Sequence, residues 1–253
     1  MLRGTRPWID GTLQGPDHLM ELLAFHLHRL GAAQARTVTF VSDGAPWIWN
    51  RLDWVVGRAG LDPKRVERVL DFYHATHHVS LALHALDLAE AERTATYRVL
   101  RHQLRKGRSR EVVATLQSMA QGQPPDSGVW VEIEFLDKHE PHLRYDWFRY
   151  RGRPLGSGAV ESAMRRVINL RLKGNGIYWC EENAEAMLVL RAAALTGRWE
   201  ETMERVQAAM ATDRRRDWQW VAPDTVAELN SGMPIQPPAS QLQSSEQEEA
   251  IAA

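Results

Sequence analysis

The sequence predicts an α/β protein in which helices dominate. Two short segments, 37–42 and 66–70, are rich in β-branched residues, and each is followed by an aspartate. Most of the remaining chain places leucine and valine at helical spacing, with glycine and proline between the periodic segments. The 253 residues are enough for one large domain or two small ones.

The composition limits the class of protein. No segment approaches eighteen consecutive apolar residues, and the N-terminus lacks the apolar stretch of a secretory signal. The single cysteine, Cys180, leaves neither an internal disulfide nor a cysteine-rich zinc site. We therefore expect a cytoplasmic protein without membrane contact. The net charge of −1 does not by itself indicate a nucleic-acid partner, so local clusters must carry that inference.

The first seventy residues give an alternating order of elements. Breakers make residues 1–16 irregular, and Asp17 is placed to cap a helix over 18–30. The strand 37–42 follows, Pro46 opens a second helix, and the strand 66–70 closes this part.

The remainder is predicted to be helical with loops. Helices are expected from residue 72 to about 121, with a break near Gly107, and over 129–150, although 129–135 also alternates like a strand. Beyond the break at Gly152 and Pro154, further elements are expected: a helix over 160–172, a glycine-rich turn at 174–176, helices over 181–195 and 199–211, and disorder over 231–253.

Three carboxylates form the main candidate site. Asp43 and Asp71 stand at the ends of the two predicted strands, and Glu161 opens the helix after the glycine motif 156–158. Acids at strand ends are typical of α/β active sites, and carboxylates are natural Mg²⁺ ligands. The simpler alternative makes Asp43-Gly44 a turn and Glu161 a first-turn acid that faces the helix dipole.

Histidines follow Asp71 at helical spacing. Asp71, His74 and His78 would share one helix face, with His77 beside them. One hypothesis is a zinc site; the favoured one is a hydrogen-bonded His–Asp cluster that positions the strand end.

Cations and aromatic residues are candidates for nucleic-acid contacts. Arg165, Arg166, Arg171 and Lys173 follow Glu161 closely and are predicted to contact DNA phosphates, unless they form only a solvated helix face. Four tryptophans could stack on unpaired bases, although core positions are the commoner explanation, namely Trp47, Trp49, Trp147 and Trp179.

The motifs occur together and in order, which makes them more specific than any one of them alone. They are SDGAPWIWN at 42–50, LDFYHA at 70–75, GSGAVESA at 156–163, RLKG at 171–174, LR at 190–191 and GRW at 197–199. This succession resembles the ISKra group of bacterial insertion-sequence transposases, within the Mutator-like DDE transposases. The resemblance covers residues from about 10 to 200.

The resemblance implies an RNase H-like core interrupted by a helical insertion. By this similarity Asp43 and Glu161 are catalytic and hold Mg²⁺ in a two-metal mechanism, whereas Asp71, His74 and His78 are accessory. The implied division is 1–71 for the second half of the core, 72–152 for the insertion, 153–220 for the glutamate helix and following helices, and 221–253 for a disordered tail. The implied partners are DNA, at the element ends and target, and further copies of the chain in a homo-oligomer.

One part of the family pattern has no match. The first catalytic aspartate should lie on a strand upstream of two further strands, and Asp10 is too close to Asp43 to leave room for them. The chain therefore resembles the C-terminal part of a transposase with an incomplete core, and we expect it to be inactive alone. The alternatives are a non-catalytic remnant that binds DNA or full-length transposase, and an unrelated metal-dependent hydrolase that uses Asp71 and the histidines.

Overall fold

A computed structural model describes the backbone of residues 7–217 and the side chains of residues 7–212. It separates the chain into two compact units, Met1–Trp199 and Glu200–Ala253. The described helices and strands are α1 (Pro16–Arg29), β1 (Val38–Ser42), α2 (Pro46–Trp49), α3 (Leu52–Arg58), β2 (Val66–Leu70), α4 (Phe72–His84), α5 (Glu90–Arg105), α6 (Ser109–Met119), α7 (Gly128–Lys138), α8 (Tyr145–Tyr150), α9 (Gly158–Met164), α10 (Glu181–Thr196) and α11 (Trp199–Asp217).

The two strands form a small parallel sheet. β1 pairs with β2 from Val38↔Val66 to Ser42↔Leu70, so both strands end at the same edge. With helices making up most of the described residues, the predicted helix-dominated α/β class is confirmed. None of the described helices is long and apolar enough to cross a membrane.

The sheet has a hydrophobic cluster on each face. Val38 and Phe40 pack against the smaller cluster, built mainly from α1 and α3. Val69 belongs to the larger cluster, which includes residues of α4 to α8, and Val41 packs against it. This alternation follows from the two-residue period of a strand.

Several helix boundaries differ from the prediction, and the helix predicted over 129–150 is divided into α7 and α8. Helix α1 begins at Pro16, so Asp17 lies in its first turn instead of capping it; proline suits that position because it has no N–H to satisfy. A second break separates α4 from α5, where Asp87 adopts a positive φ of 46°. The helix predicted over 160–172 is α9 followed by a π-helical turn, Arg165–Asn169.

The ambiguous segment at 129–135 is helical. In α7, Val129, Ile133 and Leu136 are buried at helical spacing, and packing of this face decides the conformation. The functional division at residues 71 and 152 stays a prediction. The tail predicted to be disordered, 221–253, lies outside the described residues.

Candidate functional site

Asp43 and Asp71 lie beside each other at the edge where both strands end. Each directly follows the last pair of the ladder, Ser42↔Leu70. The backbone N–H of Asp71 donates to the carbonyl oxygen of Ser42 at 2.8 Å, which extends the pairing by one step. The predicted juxtaposition of these two acids therefore follows from the parallel register.

Asp71 is buried and its carboxylate accepts four hydrogen bonds. Oδ1 accepts the backbone N–H groups of Tyr73 (2.7 Å) and His74 (3.0 Å), and so caps α4. Oδ2 accepts the backbone N–H of Ser157 (2.5 Å) and its hydroxyl (2.6 Å). With 3% of the residue exposed, the carboxylate is committed to these donors and positions its neighbours.

The ionised form of Asp71 is favoured by these donors. Burial alone would raise its pKa, but the hydrogen bonds from the Ser157 hydroxyl and N–H, and from the N–H groups of His74 and Tyr73, outweigh it. The pKa therefore lies below the usual aspartate range.

The same contacts attach the Glu161 helix to the sheet. Ser157 precedes α9, and its carbonyl accepts the N–H of Glu161 at 3.2 Å. The N–H of Phe72 donates to Leu155 at 2.8 Å. Gly156 allows this approach, since a Cβ there would lie 3.3 Å from the Tyr73 ring and 3.6 Å from Asp71 Oδ2. Hydrogen bonds thus link the edge beside Asp43 to the first turn that carries Glu161.

The two predicted metal ligands are more accessible than Asp71. Glu161 is exposed in the first turn of α9, and Asp43 is half-buried and accepts the N–H of Ala45 at 3.0 Å through Oδ1. The simpler alternatives, a turn aspartate and a first-turn glutamate, are therefore both realised, and both leave carboxylate oxygens for a ligand. Within residues 7–212, no group of three or more His, Cys, Asp or Glu side chains is arranged to hold a metal ion.

The hydrogen-bonded His–Asp cluster predicted for α4 is wrong, because its residues have other hydrogen-bond partners. His74 reaches Asp71 only through its backbone N–H, because the carboxylate caps the helix. The ring of His78 instead pairs with Glu132 of α7 (Nδ1 to Oε2, 2.5 Å) and stacks on Phe135 at 3.6 Å between ring centroids. Burial lowers the pKa of His78, against the opposing effect of Glu132. These contacts join α4 to α7.

Two of the four predicted DNA-binding cations, Arg165 and Arg166, lie on an unusual turn that follows α9. Arg165, Arg171 and Lys173 are exposed, whereas Arg166 is half-buried and donates to the carbonyl of Ser162 at 3.3 Å. π-Helical turns leave the regular hydrogen-bond pattern and recur at functional sites. Arg191 of α10 holds this turn, since its guanidinium donates to the carbonyls of Val167 (3.0 Å) and Arg166.

We expect Arg191→Lys to destabilise the protein by about 1–3 kcal/mol. A lysine cannot reproduce the fork that serves two carbonyls, and one of them would lose a charged donor. Urea unfolding measures the change. Arg110→Lys is the control, because the Arg110 side chain is 85% exposed in its pair with Glu140, and the change should alter stability by less than about 0.5 kcal/mol. Equal losses in the two variants would contradict the assigned role.

Three residues that build the site were not predicted from the sequence, namely Ser157, Tyr145 and Arg191. Tyr145 of α8 is buried and donates to the carbonyl of Leu70 at 2.9 Å, beside Asp71. Burial, with a smaller effect from the Asp71 charge, raises the pKa of Tyr145 well above its usual value. In the sequence, Ser157 lies within the motif GSG and Arg191 within the motif LR, and these motifs could have indicated their roles. No motif marks Tyr145.

Asp10 takes part in a cluster with His26 and Arg198. Its Oδ2 lies 2.7 Å from His26 Nε2 and 3.8 Å from the guanidinium of Arg198. Arg198 also donates to the carbonyl of Ile9 at 2.6 Å and stacks over Trp8 at 4.3 Å. The arginine of the GRW motif thus ties the end of α10 to the segment before α1.

Comparison of the chain with protein-family models, curated proteins and solved structures found no match.

Proposed function

We propose that the chain carries part of the catalytic site of a DDE-type transposase, which cleaves and joins DNA strands during insertion-sequence transposition. One observation carries the proposal: Asp71 binds Ser157, so the edge that bears Asp43 and the helix that bears Glu161 are built as one unit. The family resemblance implies that Asp43 and Glu161 belong to one catalytic site.

In this proposal, β1 and β2 are the second half of an RNase H-like core. Helices α4 to α8 then form the insertion between its last strand and the glutamate helix. Asp71 is an accessory residue that positions α9, and His78 contributes by joining α4 to α7 through Glu132.

Asp43 and Glu161 fit a role as Mg²⁺ ligands. Magnesium is held by one or two carboxylates, with water and substrate phosphate completing its shell. Both residues are accessible, and Asp43 uses one oxygen for its turn. A bound Mg²⁺ would supply stabilisation of the charge that develops on the phosphate during strand transfer.

The cations would hold the DNA backbone beside these acids. Arg165 and Arg166 lie on the turn that directly follows α9, and Arg171 and Lys173 come after it. Contacts from such residues to phosphates position a duplex without reading its sequence.

A non-catalytic role is the second candidate. Within the described residues, Asp71 is occupied by its donors and no third carboxylate joins Asp43 and Glu161. A protein with this site would bind DNA, or full-length transposase, through its cations without cleaving DNA.

Metal binding and strand transfer test the proposal. We expect the purified chain to bind Mn²⁺ weakly, and Asp43→Asn and Glu161→Gln each to weaken the binding further, measured by electron paramagnetic resonance. The control is Asp17→Asn, an exposed acid of α1. Unchanged binding in both site variants would exclude this metal site.

The activity test uses the chain alone and the chain extended by the residues encoded upstream of Met1. We expect Mg²⁺-dependent strand transfer on the element's ends only from an extended chain that adds a strand ending in aspartate, with loss of activity in Glu161→Gln. Turnover by the chain alone would contradict the expected inactivity. Zinc bound stoichiometrically on purification would favour the histidine-based hydrolase.

A further inference from the structure

The backbone groups of β1 alternate between its two edges. The N–H of Asp71 donates to the carbonyl oxygen of Ser42 at 2.8 Å, so Ser42 faces β2. Because alternate residues of a strand bond to the same neighbour, the N–H and C=O groups of Thr39 and Val41 point away from β2. Among residues 7–217, these outward groups have no hydrogen-bond partner.

The outer edge of β2, by contrast, is covered. Its outward carbonyls at Arg68 and Leu70 accept hydrogen bonds from His142 Nδ1 at 3.2 Å and from the Tyr145 hydroxyl at 2.9 Å. Burial of the two strands follows the same difference. The last two residues of β2 are buried, whereas all five residues of β1 are only half-buried. The open edge of the sheet is therefore the outer edge of β1.

The two faces of β1 resemble those of an interior strand. One face packs against the cluster built mainly from α1 and α3, and the other against the larger cluster. Parallel strands that are covered on both faces normally have strands on both sides as well. Segment 37–42 carries no charge and no proline, and no bulge interrupts the ladder, so the edge lacks the usual protection against pairing. A row of free N–H and C=O groups at strand spacing is matched by an extended polypeptide strand.

Opposite charges at the two ends of β1 indicate which strand fits. Arg36 precedes the uncharged segment 37–42, and Asp43 follows it. Arg36 is exposed and has no ion pair within the described side chains, and Asp43 is half-buried. A second copy of β1 laid antiparallel along this edge brings Arg36 of one copy to the end that carries Asp43 of the other. Parallel addition of the same strand would bring like charges together, which is destabilising.

The charges of the neighbouring strand do not offset this pattern. Glu67 pairs with Arg153 at 2.5 Å, and Arg68 pairs with Asp53, so both charges of β2 are compensated within the chain. The charges that remain beside the open edge are those at the ends of β1 itself. The edge is therefore complementary to a second, antiparallel copy of itself.

We propose that two copies of the chain associate through the outer edges of their β1 strands, antiparallel about a twofold axis, to form one continuous sheet. In the register centred on Phe40, the N–H and C=O groups of Thr39 in one copy bond to those of Val41 in the other, and the symmetry repeats these bonds. The inference stands apart from the proposed function, because it concerns the pairing of β1 and is tested without metal or DNA.

Sedimentation equilibrium of the full chain, in EDTA and without DNA, tests the pairing. We expect a monomer–dimer equilibrium within about 1–200 µM, the range of a small interface. Val41→Pro should weaken dimerisation by about 5- to 150-fold, because the outward N–H is lost in both copies while the ladder to β2 is kept. The matched control is Val41→Ala, which shortens the same side chain but keeps the N–H and should dimerise as the wild type does. Circular dichroism verifies that each variant is folded.

Exchange of the end charges tests the antiparallel arrangement without altering the strand itself. Arg36→Glu and Asp43→Lys should each weaken dimerisation by about 2- to 30-fold, since like charges then meet at both ends. An equimolar mixture of these two variants should recover association as a heterodimer, because the two strands then carry opposite charges. Arg98→Glu, a change of an exposed cation on α5, should leave dimerisation unchanged.

Hydrogen exchange locates the contact on β1. The amides of Thr39 and Val41 should exchange more slowly above the dissociation constant of the dimer than below it, because they are bonded only in the dimer. Three outcomes would overturn the proposal: a wild type that stays monomeric up to about 200 µM, equal dimerisation of the wild type and Val41→Pro, and exchange at Thr39 and Val41 that does not depend on concentration. A monomeric wild type would leave the edge to a strand from another polypeptide.

Discussion

Asp71→Ala is expected to reduce the free energy of unfolding by about 3–5 kcal/mol. The change removes the cap of α4, worth about 1 kcal/mol, and leaves the N–H and hydroxyl of the half-buried Ser157 without their acceptor, at about 1–2 kcal/mol for each group. Urea unfolding measures the loss. Because domains of this kind are stable by only about 5–15 kcal/mol, the loss is a large part of the total.

The same variant should release the Glu161 helix locally. Amide hydrogen exchange across residues 158–164 should accelerate in Asp71→Ala, because Ser157 no longer fixes the start of α9. Asp62→Ala is the control: Asp62 also accepts a backbone N–H, from Lys64 at 3.0 Å, but it is exposed and should cost less than about 1 kcal/mol. Equal exchange in α9 of both variants would contradict the positioning role.

The charge of Asp71 gives this stabilisation a pH dependence. Its pKa is lowered in the folded protein, so the folded state holds the proton less tightly than the unfolded chain does. The contribution is therefore complete above the unfolded pKa of about 4 and is lost as the pH falls through the folded pKa. Asp71→Asn should be less stable than the wild type at pH 7, with the difference shrinking in acid.

The sequence predicted the elements that local pattern and register determine. The two strands end in Asp43 and Asp71, and parallel pairing then brings both acids to one edge without further information. The position of Glu161 at a helix start follows from the glycines before it. These features depend on nearby residues, so a single sequence reveals them.

Contacts between segments that are far apart in the sequence could not be predicted in the same way. The pair His78–Glu132 spans 54 positions and Asp71–Ser157 spans 86, and neither periodicity nor propensity chooses such partners. The predicted His–Asp cluster was wrong for this reason. Helical spacing predicts that the side chains of Asp71, His74 and His78 share one face, but the Asp71 carboxylate instead caps the first turn of α4. The π-helical turn likewise depends on Arg191, which lies about twenty-five residues further along the chain.

Gly44→Ala is expected to be strongly destabilising, because it combines a positive φ with close contacts in the core. Gly44 has a φ of +86°, and an added Cβ would lie 2.7 Å from Leu70 Cδ1 and 2.9 Å from Phe135 Cζ. The left-handed conformation costs a non-glycine residue about 1–2 kcal/mol, and displacing the Leu70 and Phe135 side chains adds about 1–3 kcal/mol. We expect a total loss of about 2–5 kcal/mol in urea unfolding.

Gly60→Ala separates the two contributions. Gly60 has a similar φ of +67°, but an added Cβ would meet nothing within 4 Å, so only the conformational cost of about 1–2 kcal/mol should appear. In a Phe135→Leu background, Gly44→Ala should cost less than in the wild type because one of the clashing groups is shortened. Equal losses at positions 44 and 60 would show that the contact of Gly44 with Leu70 and Phe135 does not hold the edge beside Asp43 in place.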